Sequence, residues 1–520
     1  MPPCSDNCFI CPLFFYIVLY KERFDDKEIL FPPVKKISSC VFEEICMRKT
    51  KIICTIGPAT DDYGILLKLA ENMDIARFNF SHGSKESHKK RLEMLRKASA
   101  ETGRPVAAML DTKGPEIRTG LLENHRPVTL EREQKIIVTT ADCIGNKEKI
   151  SVTYKELPRD IRPGDHILID DGLLELIVEK VKEPDIFCKI YIGGQLGEKK
   201  GVHVPGLPLR LPSLTDKDRE DILFAIENDF DFIAASFVRN AAVIEEIKNF
   251  LASKNSPIKI IAKIESEEGV RNFDDILKAA DAVMVARGDL GVDMAPERLP
   301  QIQKDIIKKC NAEGKPVITA TQMLDSMIRN PRPTRAEITD VANAVGDGTD
   351  AVMLSGETAA GKYPAEALNV MAAIAEFTEN SYIPLPKKPE EEKTLYDQIS
   401  DTVCRAAVES ARKLGANAII APTLSGNTAR LLSKYRPGTD IFALSPYLST
   451  IRQMMLLWGV RPILAVRYES TDTIFEKSLE KVKEEGYIKE NDLVVITAGI
   501  LPKEKKEKSA DTNIMRIMKV

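Results

Sequence analysis

Two carboxylates and a lysine stand at the ends of two neighbouring apolar segments, where they could hold a metal ion and a phosphate. Lys263 and Glu265 close the apolar run at residues 258–262, and Asp289 closes the next one, at 281–286. Side chains in a strand repeat every two residues, so Lys263 and Glu265 leave the same face. Two carboxylates suit Mg²⁺, and a lysine beside the metal suits the charge of a migrating phosphoryl group. The alternative interpretation is an ordinary surface ion pair.

These residues belong to a longer pattern in which short apolar runs alternate with amphipathic helical stretches. The apolar runs lie at residues 51–56, 75–80, 106–110, 232–237, 258–264, 282–286, 317–320 and 351–354. Alternation of strand and helix indicates parallel pairing, and eight such units predict a closed (β/α)8 TIM barrel of the α/β class. In such barrels the chemistry lies at the carboxyl ends of the strands. The polar residues expected there are Arg77, Asn79, Ser81, Asp111, Thr112, Lys263, Glu265, Asp289, Thr321, Ser355 and Glu357.

The alternation is interrupted once, between the third and fourth strands, and it restarts on a smaller scale after the barrel. Residues 115–211 lose the helical period and form β-like runs between glycine and proline turns, which predicts an inserted antiparallel β-barrel lid domain. A hinged lid and a rigid insertion both remain open. After a proline-rich linker, apolar runs at residues 418–421, 441–444, 463–466 and 493–497 alternate with helical stretches. Residues 384–520 therefore predict a C-terminal doubly wound α/β regulatory domain. The catalytic barrel would then cover residues 47–114 and 212–383, with residues 1–46 expected as an extension outside the fold.

Composition excludes several classes of protein. The net charge of −4 argues against a nucleic-acid scaffold, and no apolar run reaches the roughly 18 residues that a membrane-spanning helix needs. Five of the ten cysteines precede Met47, and the other five are scattered. Because scattered cysteines form no disulfide framework, we expect a reduced, cytoplasmic protein. From the net charge and the short apolar runs we expect contact with neither nucleic acid nor membrane.

Eight motifs, taken together and in their order, resemble those of the pyruvate kinase family. They lie at residues 51–58, 77–83, 110–120, 200–206, 262–265, 284–291, 320–324 and 354–359. The resemblance implies phosphoryl transfer from phosphoenolpyruvate to ADP, giving pyruvate and ATP, the final step of glycolysis. It also implies dependence on Mg²⁺ (or Mn²⁺) and K⁺, and a homotetramer.

The resemblance assigns roles to the residues at the predicted rim. Glu265 and Asp289 would hold the divalent ion, while Lys263 and Arg77 steady the phosphoryl group. The substrate carboxylate would be bound by backbone N–H groups near Gly288 and Asp289, beside Thr321. A relay through Thr321, Ser355 and Glu357 would protonate enolpyruvate, with the delivering group left open.

Three further groups of residues match sites of the family. The monovalent-cation site corresponds to Asn79, Ser81, Asp111 and Thr112, and K⁺-dependent members share Glu116, which could equally be a solvated carboxylate beside Arg118. The nucleotide site corresponds to Arg118, His82 and Lys200. The effector site for a sugar phosphate or a nucleoside monophosphate corresponds to Thr423, Ser425, Gly426, Asn427 and Thr428. That segment follows a strand and opens a helix, so an ordinary helix cap is the alternative.

Two other functions remain as rivals. A Mg²⁺-dependent barrel enzyme acting on pyruvate enolates, such as an aldolase or lyase, would account for Glu265 and Asp289 but not for Lys200 or the inserted domain. A non-catalytic homologue would be favoured by loss of Lys263, Arg77 or a metal carboxylate, and all of these are present.

Overall fold

The structure, a computed structural model, describes residues 48–207, 209–381, 395–467, 470–499 and 512–520. The extension predicted for residues 1–46 lies outside these residues. Among the described residues, no helix has both the length and the apolar composition that a bilayer crossing requires.

The strands and helices follow one another along the chain with short connections. The strands are β1 Lys51–Thr55, β2 Ile75–Asn79, β3 Ala107–Asp111, β4 Val128–Leu130, β5 Lys135–Thr139, β6 Lys149–Ser151, β7 His166–Ile169, β8 Leu174–Lys182, β9 Asp185–Ile192, β10 Gly194–Leu196, β11 Val202–His203, β12 Phe232–Ala235, β13 Lys259–Ile264, β14 Ala282–Ala286, β15 Val317–Ala320, β16 Ala351–Leu354, β17 Ala418–Pro422, β18 Asp440–Ser445, β19 Val460–Leu464, β20 Leu493–Ala498 and β21 Ile514–Lys519. The α-helices are α1 Tyr63–Ala70, α2 Lys85–Thr102, α3 Leu157–Asp160, α4 Asp216–Glu227, α5 Ala241–Ser253, α6 Glu267–Arg271, α7 Phe273–Ala279, α8 Arg287–Asp293, α9 Leu299–Glu313, α10 Arg335–Asp347, α11 Gly356–Ala359, α12 Pro364–Ser381, α13 Leu395–Leu414, α14 Asn427–Lys434, α15 Leu448–Met454 and α16 Thr471–Glu484.

Eight parallel strands close into a barrel, which confirms the predicted TIM fold. Their order around the barrel is β1-β16-β15-β14-β13-β12-β3-β2. Buried side chains such as Ile53, Met109 and Met284 form one apolar cluster, and Met455 and Leu456 from the C-terminal domain pack against it. The barrel interior is therefore a packed core, and reactive side chains are expected at the rim.

Four aspartates link neighbouring strands at the amino-terminal end of the barrel. An aspartate stands directly before the second, fourth, sixth and eighth barrel strand. Its carboxylate accepts a backbone N–H from the previous barrel strand: the first, third, fifth or seventh, respectively. The four bonds join Asp74 to Ile52 N (2.8 Å), Asp231 to Ala108 N (2.8 Å), Asp281 to Ile260 N (2.9 Å) and Asp350 to Val317 N (2.8 Å). Because a charged acceptor strengthens such a hydrogen bond, the four aspartates help to set the register of the strands whose carboxyl ends form the catalytic rim.

The inserted segment forms a six-stranded sheet of order β11-β7-β8-β9-β5-β6 and a small β10-β4 pair. All pairs are antiparallel except β5 with β6. A separate cluster of buried apolar side chains supports this sheet, with Leu174, Leu176 and Ile190 fully buried. The insertion thus has its own core.

The C-terminal domain is a five-stranded sheet of order β19-β18-β17-β20-β21, parallel except for the last pair. Its third strand in the chain was expected at residues 463–466, but β19 spans Val460–Leu464. The expectation was wrong because the first half of this strand contains Arg461 and Pro462, which interrupt its apolar pattern. Strand β21 was also missed in the sequence analysis, because its side chains are largely exposed and its apolar residues do not alternate with polar ones.

Candidate active site

Lys263 lies at the centre of a buried network of charges on the barrel rim. Its Nζ is 2.9 Å from Glu265 Oε1 and donates to Asp111 Oδ1 at 3.0 Å. The side chains of Lys263 and Glu265 are 10% and 1% exposed, so a surface ion pair is excluded. Burial opposes the charge on Lys263, but Asp111 and Glu265 outweigh it and raise the pKa of this lysine well above its usual range. The ammonium therefore stays charged.

Glu265 and Asp289 provide the chemistry expected of a divalent-cation site. Burial raises the pKa of Glu265 to about 7, Lys263 opposes the shift and the neighbouring Asp289 adds to it. Burial also raises the pKa of Asp289. Two desolvated carboxylates that disfavour each other's charge fit a shared divalent cation. Within the described residues, no three His, Cys, Asp or Glu side chains form a metal cluster by themselves.

The position of Asp289 in the fold differs from the prediction. It was expected to close the sixth barrel strand, but β14 ends at Ala286 and Asp289 lies in the first turn of α8. The chain becomes helical as soon as it leaves the strand, because Arg287 and Gly288 already have helical geometry. The carboxylate still reaches the cavity that Glu265 lines.

The residues matched to the K⁺ site stand at the adjoining ends of β2 and β3. Asn79 is the register partner of Asp111, and Ser81 N donates to Asn79 Oδ1 at 3.0 Å. The Asp111 carboxylate also accepts from Arg77 Nε at 2.6 Å. Thr112 follows on the same strand end and accepts from Ser236 N at 3.2 Å. All four K⁺-site side chains offer oxygen, the ligand atom that suits an alkali cation.

Thr321 connects two strand ends through its hydroxyl group. Gly288 N donates to Thr321 Oγ1 at 2.8 Å, and Thr321 Oγ1 donates to Ala320 O at 2.6 Å. In this conformation the Gly288 N–H is therefore bound within the protein. Thr321 has a φ of 70°, which is strained for a β-branched residue. Such strain persists where the surroundings impose it, often at functional sites.

Glu357 holds the segments that carry the other relay residues. Its carboxylate accepts from Ser355 N at 2.7 Å and from Leu324 N, three residues beyond Thr321, at 3.1 Å. Burial raises the pKa of Glu357. Glu357 thus links the ends of β15 and β16, whereas Ser355 and Thr321 supply hydroxyl groups.

The three nucleotide candidates line one cavity of about 330 Å³ that also contains Glu265 and Asp289. Lys200 Nζ donates to Asp170 Oδ1 at 2.9 Å, and Arg118 Nε donates to Glu116 Oε2 at 2.6 Å. Glu116 is thus paired with Arg118, but its side chain is only 18% exposed, less than the solvated carboxylate of the alternative interpretation. His82 is exposed at the same opening. Residues of the lid and of the barrel therefore line one space that holds both the basic side chains of Arg118 and Lys200 and the carboxylates of Glu265 and Asp289.

Two residues that contact the candidate site, Ser236 and Phe237, escaped sequence reasoning. Ser236 Oγ accepts from Lys263 Nζ at 2.6 Å and donates to Thr112 O at 2.7 Å. Phe237, whose φ is 54°, donates its backbone N–H to Glu265 Oε2 at 2.5 Å. In the sequence analysis both residues lie inside the fourth apolar run and have no role, because a serine and a phenylalanine carry no ionic chemistry of their own.

The predicted effector segment is divided between two cavities. Thr423 and Thr428 border one of about 90 Å³, whereas Ser425, Gly426 and Asn427 border a larger one on the barrel side. Thr423 Oγ1 accepts from Gly426 N at 3.0 Å, and the Thr428 hydroxyl is 2.6 Å from that of Thr512. Thr423 closes the turn before α14, whose N-cap is Gly426 and which has no side-chain cap.

The fold and rim define a (β/α)8-barrel enzyme with a lid insertion, and comparisons with known proteins name its family. Residues 47–368 match the family model for the pyruvate kinase barrel domain, and residues 401–518 match that for the pyruvate kinase alpha/beta domain. The chain therefore belongs to the pyruvate kinase family, whose members are transferases.

Individual relatives agree with this assignment. The pyruvate kinase of Geobacillus stearothermophilus is 48% identical over 474 residues, which cover 90% of this chain and 80% of that protein. The pyruvate kinase of Staphylococcus epidermidis is 46% identical over 474 residues, covering 91% and 80%. The crystal structure of a pyruvate kinase from Cryptosporidium parvum is 40% identical, with a TM-score of 0.85, and the match covers 94% of this chain and all of that one.

Proposed function

We propose that the protein transfers a phosphoryl group from phosphoenolpyruvate to ADP, giving ATP and pyruvate. In this reaction the bond between phosphorus and the enol oxygen breaks, and a terminal ADP oxygen forms the new bond to phosphorus. The enolate then takes a proton at carbon. The observation that carries the proposal is the buried network of Lys263, Asp111 and Arg77 beside two carboxylates on the rim.

Lys263 and Arg77 stabilise the charge that spreads over the phosphoryl oxygens during transfer. Both cations share the Asp111 carboxylate, so their positions are fixed before substrate arrives. Ser236 adds a third anchor for Lys263. Preorganised charges of this kind cost little reorganisation at the moment of reaction.

Glu265 and Asp289 hold Mg²⁺ or Mn²⁺, and Asn79, Ser81, Asp111 and Thr112 hold K⁺. When bound, the divalent ion neutralises charge on the substrate's oxygens. Glu265 is oriented for this role by Lys263 and by Phe237 N–H. Arg118 and Lys200 bind the nucleotide phosphates from the lid, and His82 binds them from the barrel side of the cavity.

Protonation of enolpyruvate uses the hydroxyl groups of Thr321 and Ser355, with Glu357 holding their segments together. The bonds from Glu357 to Ser355 N and Leu324 N support this arrangement. The Gly288 N–H donates to Thr321 Oγ1 in this structure. When the Thr321 hydroxyl group takes part in the protonation, this N–H donates to the substrate carboxylate instead.

A coupled assay tests the proposal. ATP formation from phosphoenolpyruvate and ADP is measured with both cations and after omission of each. An aldolase or lyase would release pyruvate from its own substrate without ADP, and a non-catalytic homologue would form no ATP under any condition. Either outcome would overturn the proposed reaction.

The segment Thr423–Thr428 responds to a phosphorylated effector, either a sugar phosphate or a nucleoside monophosphate. Support comes from the amino-terminal turn of α14 and the adjacent cavity. A tenfold preference for the active state would correspond to about 1.4 kcal/mol of coupling. Ser425→Ala with Thr428→Ala is expected to abolish activation and to keep basal turnover. A panel of such phosphates that neither activates the enzyme nor raises its Tm would contradict this role.

The working protein is a cytoplasmic homotetramer. Family membership supports the assembly, and Phe377, 78% exposed on α12, offers an apolar surface. The five cysteines of the described residues are free, as a reducing compartment requires. Light scattering of the purified protein measures the assembly directly.

A further inference from the structure

The chain returns from the lid to the barrel through residues 209–212, which are bonded to both domains. Arg239, which lies on the barrel between β12 and α5, holds this return segment by its guanidinium group. Its Nη1 donates to Leu209 O at 2.6 Å. Its Nη2 donates to Leu211 O at 2.6 Å and to Pro212 O at 3.3 Å. A single side chain of the barrel therefore binds three carbonyl groups of the return segment.

The return segment is also joined to the lid. The side chains of Leu209 and Leu211 pack against the apolar core of the lid. Between them, the Arg210 N–H donates to the Tyr154 hydroxyl at 3.0 Å, and Arg210 Nε lies 3.3 Å from Asp160 Oδ1. Tyr154 in turn donates to Asp160, and both residues belong to the lid. The return segment thus connects the lid core to Arg239, so a displacement of this segment would displace the lid.

On the barrel side, Arg239 is fixed close to the group that orients a metal carboxylate. Asn272 Nδ2 donates to Arg239 O at 2.8 Å. Two residues before Arg239, the backbone N–H of Phe237 donates to Glu265 Oε2. The contact that holds the lid and the contact that orients Glu265 therefore come from the same short stretch of chain after β12.

The chain enters the lid past this same stretch. Gly114 has a φ of 70°, and a Cβ atom there would lie 2.9 Å from Ser236 Cβ and 3.0 Å from Phe237 Cδ2. Only glycine permits so close an approach. Gly114 N also donates to Asp218 Oδ1, in α4, at 3.0 Å. Both crossings between barrel and lid therefore contact residues 236–239.

The chemistry of arginine suits this attachment. All three acceptors are neutral backbone carbonyl groups, and the planar guanidinium group presents several donors in a fixed arrangement. Burial lowers the pKa of Arg239 and the nearby Glu268 opposes the shift, but an arginine keeps its charge in either case. Hydrogen bonds from a charged donor are stronger than those from a neutral one. A lysine would offer one nitrogen atom in place of two.

We propose that Arg239 is a positioning residue that fixes the return segment of the lid. Because Arg118 and Lys200 lie on the lid and Glu265 lies on the barrel, this attachment sets the position of the two lid cations relative to the divalent-cation site. The expected effect on ADP rests on the proposed function, whereas the attachment of the lid does not.

Arg239→Lys tests the inference in the full-length protein by two measurements. Hydrogen–deuterium exchange should become faster in residues 209–216, because the carbonyl groups of the return segment lose their shared partner. The KM for ADP should rise about tenfold or more, since a small misplacement of binding groups has effects of this size. The kcat and the KM for phosphoenolpyruvate, whose proposed ligands lie on the barrel, should change less.

Arg96→Lys is the matched control. Arg96 also donates to two backbone carbonyl groups, Val106 O at 3.0 Å and Asp229 O at 2.8 Å, but at the amino-terminal end of the barrel. This change should lower the Tm without altering the KM for ADP or exchange in residues 209–216. If Arg239→Lys does not fold, Tyr154→Phe removes the bond between the lid and Arg210 N and should change exchange and KM in the same direction.

Unchanged exchange in Arg239→Lys, or faster exchange with an unchanged KM for ADP, would overturn the inference. An equal rise in the KM for ADP in Arg96→Lys would also overturn it, because a general loss of stability would then explain the effect. If the parent protein forms no ATP, the proposed reaction is wrong. ADP affinity measured by calorimetry then replaces KM in the same comparison, and the role of Arg239 is still tested.

Discussion

At the scale of single residues, Lys263 joins two buried carboxylates of the rim, those of Asp111 and Glu265. It touches Asp111, Glu265 and Ser236, and its neighbours keep it protonated. A group with this role matters more in the transition state, where phosphoryl charge spreads, than in the bound substrate.

We therefore expect Lys263→Met to lower kcat by roughly 10²–10⁴-fold with a smaller change in KM. Steady-state kinetics with phosphoenolpyruvate and ADP measure both constants. Lys259→Met is the matched control, because it makes the same change at the other end of β13. Near-normal turnover of the Lys263 variant would remove Lys263 from the mechanism.

Glu116 gives a second prediction at this scale. Activity should fall sharply when K⁺ is replaced by a large organic cation, and Glu116→Lys should restore part of it by bringing its own positive charge. Rates with and without K⁺ provide the measurement. Glu131→Lys, on an exposed side chain of the lid, should leave the K⁺ requirement unchanged. A parent protein that is fully active without K⁺ would refute the idea.

At the scale of elements, the aspartates before alternate strands connect the barrel's base to its surroundings. Asp74 pairs with Arg48 at 2.8 Å, whereas Asp231 pairs with Arg452 of α15 at 2.6 Å. Asp350 pairs with Arg436, which follows α14, at 2.8 Å. Two of the four strand-fixing carboxylates thus also hold the C-terminal domain against the barrel.

Asp74→Asn should lower the free energy of unfolding by about 3–5 kcal/mol at neutral pH, the scale of breaking a buried ion pair. Burial opposes the charge on Asp74, but Arg48, Lys51 and Arg104 hold its pKa below the usual value. A carboxylate with a depressed folded pKa stabilises fully above its unfolded pKa of about 3.9, and the effect is lost as pH falls through the folded value.

The difference between parent and variant should therefore shrink only in acid, which urea unfolding at a series of pH values can follow. Asp281→Asn is the comparator, since Asp281 makes the same kind of backbone bond with a side chain that is 34% exposed. Its loss should be smaller. If the difference in free energy of unfolding between the parent and Asp74→Asn stays constant to the lowest pH, the stabilisation by Asp74 does not come from its charge.

At the scale of the whole molecule, the barrel, the lid and the C-terminal domain each bury an apolar core of their own. The family match begins at residue 47, four residues before β1. The residues just before β1 are tied to the barrel, because Glu379 of α12 accepts the backbone N–H groups of Lys49 and Thr50.

A protein beginning at Met47 should keep the turnover, Tm and assembly of the full chain. A variant beginning at Lys51 is the control, because it loses the Arg48–Asp74 pair and the bonds to Glu379, and its Tm should fall. Kinetics and thermal unfolding compare the three proteins. A lower Tm for the Met47 variant would show that the preceding residues stabilise the fold.

The eight barrel strands could be predicted from the sequence because local pattern encodes them. Apolar runs stop at polar residues, and the alternation with helices admits few topologies. Each predicted strand agrees with the structure to within two residues at either end. The motifs around Arg77, Asp111, Lys263 and Glu265 likewise identified the rim before any distance was known.

Only the tertiary structure decided which side chains meet. Asp111 lies between Arg77 and Lys263, and Ser236 completes the support of Lys263, because barrel closure brings the ends of four strands together. The predicted effector segment borders two cavities for the same reason, because its surroundings come from the barrel and from the end of the chain. Periodicity fixes the direction of a side chain on its own strand or helix, whereas its partners depend on contacts between residues far apart in sequence.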